Sequence, residues 1–304
     1  MLSEGIQVQI MRAMAGGFNA LSVPEDYEGE AQPHRPADRR RRQPEGGPVD
    51  PAHQQKYALT PTGRARLPTA DGIELWLLKA PGGPLPYDDR RSKRAIELLS
   101  EAWGHGLAHT LAAGPVEPAA AIAGCELRPR AAKRLLSKLC RTGLVEVLAG
   151  AGKVELCAPT EWLRRAVGAL TLGARVESDD RPAGARPVDA LDFVATVQLA
   201  APLVRLGEEA GGACRLVLRL GPAGRRHPVG VTVEVVEGRI VSCEPDPESA
   251  SETATEAVGE LGAWFSALID QRPKRLRFEG DRQFARDLVA AFGKALFDEP
   301  SFAR

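Results

Sequence analysis

Between Arg128 and Arg141 the chain reads RPRAAKRLLSKLCR. Winding this segment at ~100° per residue puts Arg130, Lys133, Arg134, Ser137 and Arg141 on one side of a helix. Ala132, Leu135, Leu136 and Leu139 fall on the other. Guanidinium and ammonium groups only donate hydrogen bonds, and the arginine fork matches phosphate oxygens and the O6/N7 edge of guanine. A helix so divided can pack on a protein through one side and enter the major groove of duplex DNA through the other. Arg128, Arg130, Lys133, Arg134 and Ser137 are expected to meet base edges, with Arg141 and Lys153 on backbone phosphates. The competing expectation is a solvated basic face on an ordinary surface helix.

Other chemistries find less support. LAGAGKVEL (148–156) lacks the phosphate-loop pattern: Val147 stands where the first glycine belongs and Val154 follows Lys153. His105 and His109 are four apart, yet the sequence suggests no third metal ligand. No G-x-S-x-G elbow and no Cys-His arrangement occurs. No catalytic group, metal site or cofactor is therefore nominated, and the expectation is a non-enzyme.

The elements that must position the cationic helix can be read around it. Lys93 to Ala112 carries Ile96, Leu99, Trp103, Leu107 and Leu111 at helical spacing, and Gly114-Pro115 stops it. Glu117 to Ile122 is a short Ala-rich helix. After Thr142-Gly143, a strand over Leu144–Leu148, a turn over 149–152 and a return strand over Lys153–Cys157 make a hairpin. Thr160 caps a last helix through Trp162, Val167 and Leu170. Helix, helix, helix, hairpin, helix is the order of a winged helix-turn-helix.

The pattern recurs upstream at an offset of 98 (Thr60 to Ala158). Thr60-Pro61-Thr62 follows Lys56–Leu59 as Ala158-Pro159-Thr160 follows Lys153–Cys157, and residues 13–16 align with 111–114. The offset puts the corresponding cationic helix at EAQPHRPADRRRRQ (30–43), where Pro33 and Pro36 each cost a helix ~3 kcal/mol. Either this first unit has lost its helix, or residues 17–45 come from a compensated frameshift. The Arg39–Arg42 run can touch phosphate or remain a solvated cluster.

Residues 188–304 differ in kind. An apolar helix-like lead-in at 189–206 precedes alternating strands at 213–220 and 229–236, a Glu237-Gly238 turn, a strand at 239–243, a helix at 264–269, a strand at 275–279 and an amphipathic helix at 282–297. This reads as an antiparallel sheet with helices on one face.

These features carry two resemblances. KYALTPTGRARL (56–67) and the 88–178 layout resemble winged-helix regulators of the HxlR type, within the MarR-like group. The second unit departs from that motif, with VELCAPTEWL at the same place. The resemblance implies sequence-specific binding of double-stranded DNA and transcriptional control. The strand, Glu237-Gly238-Arg239 turn, strand run and LRFEGDRQFARDLVAAF (276–292) resemble the sterol-carrier-protein-like fold. That implies an apolar cavity, lined by Phe193, Val197, Leu218, Val233, Trp264, Leu288 and Phe292, for an apolar effector; a solid core is the competing expectation.

The expected architecture is thus α+β: tandem winged helix-turn-helix units (1–80, incomplete with an irregular 17–55, and 88–178) followed by a sterol-carrier-like domain (188–304). An alternative from another class is an apolar-ligand carrier whose winged-helix region binds proteins. Bulk composition fits both. The 304 residues carry 40 basic and 40 acidic side chains, which excludes a uniformly basic coat. The zero conceals a net +4 over residues 1–187 and −4 over 188–304. Five widely spaced cysteines without a C-x-x-C pair suggest reduced thiols. No apolar run reaches the ~18 residues of a membrane span, and the N-terminus lacks a basic n-region, so a cytoplasmic protein without membrane contact is expected, as a monomer or a homodimer.

Overall fold

The computed structural model describes residues 67–150, 154–179, 190–219, 228–246 and 255–297. The first unit up to Arg66, including the 17–55 segment and Arg39–Arg42, lies outside the described residues, as does Lys153. The described chain is a mixed α+β structure with two sheets. Among the described residues no helix is long and apolar enough to cross a membrane.

The N-terminal part contains α1 (Leu67–Leu78), α2 (Arg90–Gly104), α3 (Leu107–Ala112), α4 (Pro118–Ala123) and α5 (Pro129–Thr142). The hairpin strands β1 (Val145–Ala149) and β2 (Glu155–Pro159) and a long α6 (Glu161–Asp179) follow. Asp89 starts α2 by accepting the Arg91 amide at 2.7 Å. The sequence pattern suggested one helix through Lys93–Ala112; the structure has two. Gly106 takes φ 78°, a left-handed conformation that ends a helix turn. The break has a use: the freed His105 carbonyl accepts the Glu126 amide at 3.0 Å, tying down the turn before α5. Leu98, Leu107, Leu111, Leu135, Leu139, Leu144 and Leu163 fill the core among these helices.

α1 closes against α6 through Trp76 and Trp162. Their rings stack at 4.8 Å with planes 17° apart. Each indole N–H donates to the other residue's carbonyl, at 2.8 and 3.0 Å. Buried indoles are thereby satisfied without help from solvent.

The C-terminal part begins with α7 (Ala190–Ala200) and a short 3₁₀ turn (Ala201–Leu203). Strands β3 (Gly212–Arg219), β4 (Val229–Val236), β5 (Arg239–Asp246), β6 (Glu256–Glu260) and β7 (Arg277–Glu279), with α8 (Leu261–Leu268) and α9 (Arg282–Phe297), complete it. The sheet order is β5-β4-β3-β6-β7. The expectation of an antiparallel sheet needs correction: β3 and β6 run parallel, while the other pairs are antiparallel. β6 has no clear alternation in EAVGE and was not read from sequence. Glu237 and Gly238 both take positive φ, 49° and 69°, forming the tight turn expected there. A side chain at Gly238 would meet the Gly207 carbonyl oxygen at 2.5 Å.

α7, α8 and α9 cover one sheet face, where Cys214, Leu216, Leu218, Val231, Val233 and Val235 point. The opposite face carries charged side chains beside buried Val217 and Val258. There Arg215 on β3 pairs with Asp246 on β5 and, at 3.2 Å, with Glu256 on β6. It reaches Asp246 by passing over Gly230, where a Cβ would stand 3.0 Å from its Nε.

The two cores adjoin. Ala112 of α3, Val167 of α6 and Ala195 and Leu199 of α7 share a small buried cluster with Trp103 and Leu296. Asp192 accepts the Trp103 indole at 3.0 Å and contacts His109 Nε2 at 3.0 Å. Arg175 holds Asp270 through two hydrogen bonds.

Candidate nucleic-acid interface

The cationic helix is α5, and its ends are fixed locally. Arg128 stands at its N-cap in extended conformation, and Pro129 occupies the first helical position, where a missing N–H costs nothing. At the other end Gly143 takes φ 83°. Its amide donates to the Cys140 carbonyl, and the Leu144 amide to the Leu139 carbonyl, at 3.1 and 3.0 Å. This paired closure needs glycine's left-handed freedom and turns the chain directly into β1.

The division expected from the sequence holds in space. Ala132, Leu135, Leu136 and Leu139 are buried. Arg128, Arg130, Lys133, Arg134, Ser137 and Arg141 are exposed. The helix contains no acidic residue. Among the described residues no carboxylate pairs with Arg128, Arg130, Lys133, Arg134 or Arg141. Arg141 Nε reaches only the Ser137 carbonyl, at 3.4 Å. Like charges at three- and four-residue spacing disfavour a helix by a few tenths of a kcal/mol per pair. The leucine face supplies the compensation.

The short α4 precedes this helix and α2 backs it. Gly124, after α4, approaches α3 so closely that a Cβ would meet Thr110 Oγ1 at 2.5 Å. Lys138, half-buried on α5, was not nominated from sequence; it lies between the two faces, where angular arithmetic alone assigns no role.

The hairpin differs from a basic wing. Its described residues near the tip are apolar or acidic: Val147, Leu148 and Val154 are exposed at 52%, 37% and 41%, and Glu146 and Glu155 are exposed too. Arg164, at the start of α6, is half-buried; burial lowers its pKa, and the Glu146 carboxylate acts the other way.

An open cleft of about 640 Å³ lies along β1, walled by Pro81, Cys140, Val145, Val147 and Trp162 with Lys79 and Arg165 among its charged residues. A side chain at Gly143 would strike the Pro81 ring at 2.8 Å. No sequence signal marked this cleft, because Lys79 and Pro81 come to it from far upstream of the 140–165 stretch that supplies its other walls.

His105 and His109 do not share a helix face, since Gly106 separates α2 from α3. Among the described residues no group of three His, Cys, Asp or Glu side chains is placed to hold a metal ion. In the C-terminal part Phe193, Val197, Leu218, Val233, Trp264, Leu288 and Phe292 are all buried in one cluster. Phe193 and Trp264 lie 5.3 Å apart, and the Trp264 indole donates to the Val217 carbonyl at 3.0 Å. What the structure shows of the seven is packing against one another.

The chain matches no family model, no curated protein and no solved structure.

Proposed function

We propose that the chain is a DNA-binding transcriptional regulator whose second winged helix-turn-helix unit, residues 88–178, reads duplex DNA through α5. One observation carries this reading: α5 presents cations that meet no carboxylate among the described residues on one face and buries a leucine face on the other. Arg128, Arg130, Lys133, Arg134 and Ser137 face the major groove, and Arg141 and Lys153 hold the backbone.

In this reading α1 is the closing helix of a first winged unit in residues 1–80. Its reciprocal tryptophan contact with α6 joins the two units as a dimer's halves would be joined. The 188–304 region is a sterol-carrier-like domain. An apolar effector there acts only by binding the DNA-competent and incompetent states differently.

The test is genomic binding selection with the purified full-length protein. The expected result is enrichment of a defined duplex motif, with affinity falling steeply with salt. Selection that enriches no duplex refutes the reading.

A further inference from the structure

We infer that Cys140 and Cys157 form a binding site for one soft, two-coordinate divalent cation of the Hg(II) class, reached through the cleft along β1. Cys140 stands in the last turn of α5 and Cys157 on β2. The fold brings them together: the two thiols hydrogen-bond one another, and both pack in the core of the N-terminal part.

Neither position is loose. The Cys140 carbonyl accepts the Gly143 amide at 3.1 Å. The Cys157 amide and carbonyl are both bonded to Val116, at 2.7 and 3.0 Å. Between the two cysteines, the Thr160 hydroxyl meets the Gly143 and Leu144 carbonyls at 2.8 and 3.0 Å, tying the helix end to the strands. Two ligands held in contact before an ion arrives lose little freedom on binding it. The ion also has a way in. Cys140 is partly exposed and walls the open cleft, whereas Cys157 is buried.

The surroundings select the cation. Thiolates favour soft metals. Zinc asks for four ligands, and among the described residues no third His, Cys, Asp or Glu joins the pair. A linear dithiolate needs only two. Charge narrows the choice further. Burial pushes both thiols up, and at Cys157 the neighbouring Cys140 and Glu155 add to it. The site therefore opposes net negative charge. Two thiolates around a monovalent ion such as Cu(I) keep one negative charge; around a divalent ion they are neutral. Two thiols and one Hg(II) give one neutral dithiolate complex and two protons. Two S–H bonds break, two metal–sulfur bonds form, the protons pass to water, and no oxidant or reductant enters.

The other three cysteines offer no such pair. Cys125 donates its thiol hydrogen to the Ile122 carbonyl at 3.3 Å. Cys214 and Cys243 both stand opposite Val233, so a whole strand separates them.

The test uses the full chain, reduced, freed of reductant and given one equivalent of HgCl2. Gel filtration follows in about 1 mM 2-mercaptoethanol, the effective concentration that linked groups reach. Wild type is expected to keep one equivalent, with two sulfurs as the nearest neighbours in X-ray absorption at the mercury edge. Cys140→Ser and Cys157→Ala should each lose the ion, and Cys125→Ser should keep it. A wild-type chain that yields the ion to the monothiol overturns the inference. So does a folded Cys140→Ser variant that retains it. If Cys157→Ala does not fold by circular dichroism, Cys140→Ser, on the cleft side, decides. Duplex selection is a separate readout, so failure here leaves the DNA-binding reading standing.

Discussion

Arg134→Ala and Arg141→Ala should damage duplex binding in different ways. Both side chains are exposed and neither has a carboxylate partner among the described residues. Their removal should change folding stability by no more than about 0.5 kcal/mol. The proposed reading sets Arg134 against a base edge, and a lost bidentate base contact costs about 1–3 kcal/mol. That is about 5- to 150-fold in affinity for the selected duplex, with little change for a scrambled one. Arg141 lies in the last turn, and the proposed reading assigns it to backbone phosphate. Its loss should weaken both duplexes alike and flatten the slope of log K against log salt by about 0.9. Between 50 and 200 mM salt, the Arg141→Ala protein should then lose about 3.5-fold less affinity than wild type. Fluorescence anisotropy with both duplexes at stepped salt measures each quantity. Wild-type affinity and slope in both variants would refute the assignment of this face. A fall in melting temperature of several degrees would instead show the arginines to be structural.

Trp162→Phe deletes an indole donor to the Trp76 carbonyl, which keeps the Lys79 amide at 3.1 Å; urea unfolding followed by circular dichroism should show about 0.5–1.5 kcal/mol lost. Arg215→Met strands Asp246, whose side chain is 5% exposed beside it, and the same assay should show about 3–5 kcal/mol lost. Burial pushes the Cys214 and Cys243 thiols up to about 12. Between pH 9 and 12 the folded chain therefore holds protons that the unfolded chain has released. Unfolding free energy should fall across that window, and Cys214→Ala should remove part of the slope. Gly143→Ala forces a side chain into left-handed backbone and against Pro81, so thermal unfolding should occur several degrees lower.

α5 was legible because its two faces differ in every residue that decides a contact: leucines one way, cations the other. Its end was legible too, because Thr142-Gly143 is a stop that needs no tertiary information. The break between α2 and α3 was not. Ile96, Leu99, Trp103, Leu107 and Leu111 keep helical spacing straight through it, and only the Glu126 amide, distant in sequence, gives the freed His105 carbonyl its partner. β6 was missed for a similar reason. EAVGE has no strong period, and its place beside β3 is set by pairing. The seven apolar residues named for a ligand all share one core. A sequence pattern of that kind cannot separate a filled core from a lined cavity, because both want the same side chains.

Gly168 sits on α6 where a Cβ would lie 2.5 Å from the Leu296 carbonyl oxygen of α9. The obstacle is backbone, which cannot swing aside as a side chain can. One added methyl must separate α6 from α9 or bend one of them. Because α6 also carries Trp162 and Val167, that wedge would act on both cores at once. Sequence drift can alter either core in small steps, but at Gly168 even the smallest step is shared between them, so this position ties the histories of the two halves together.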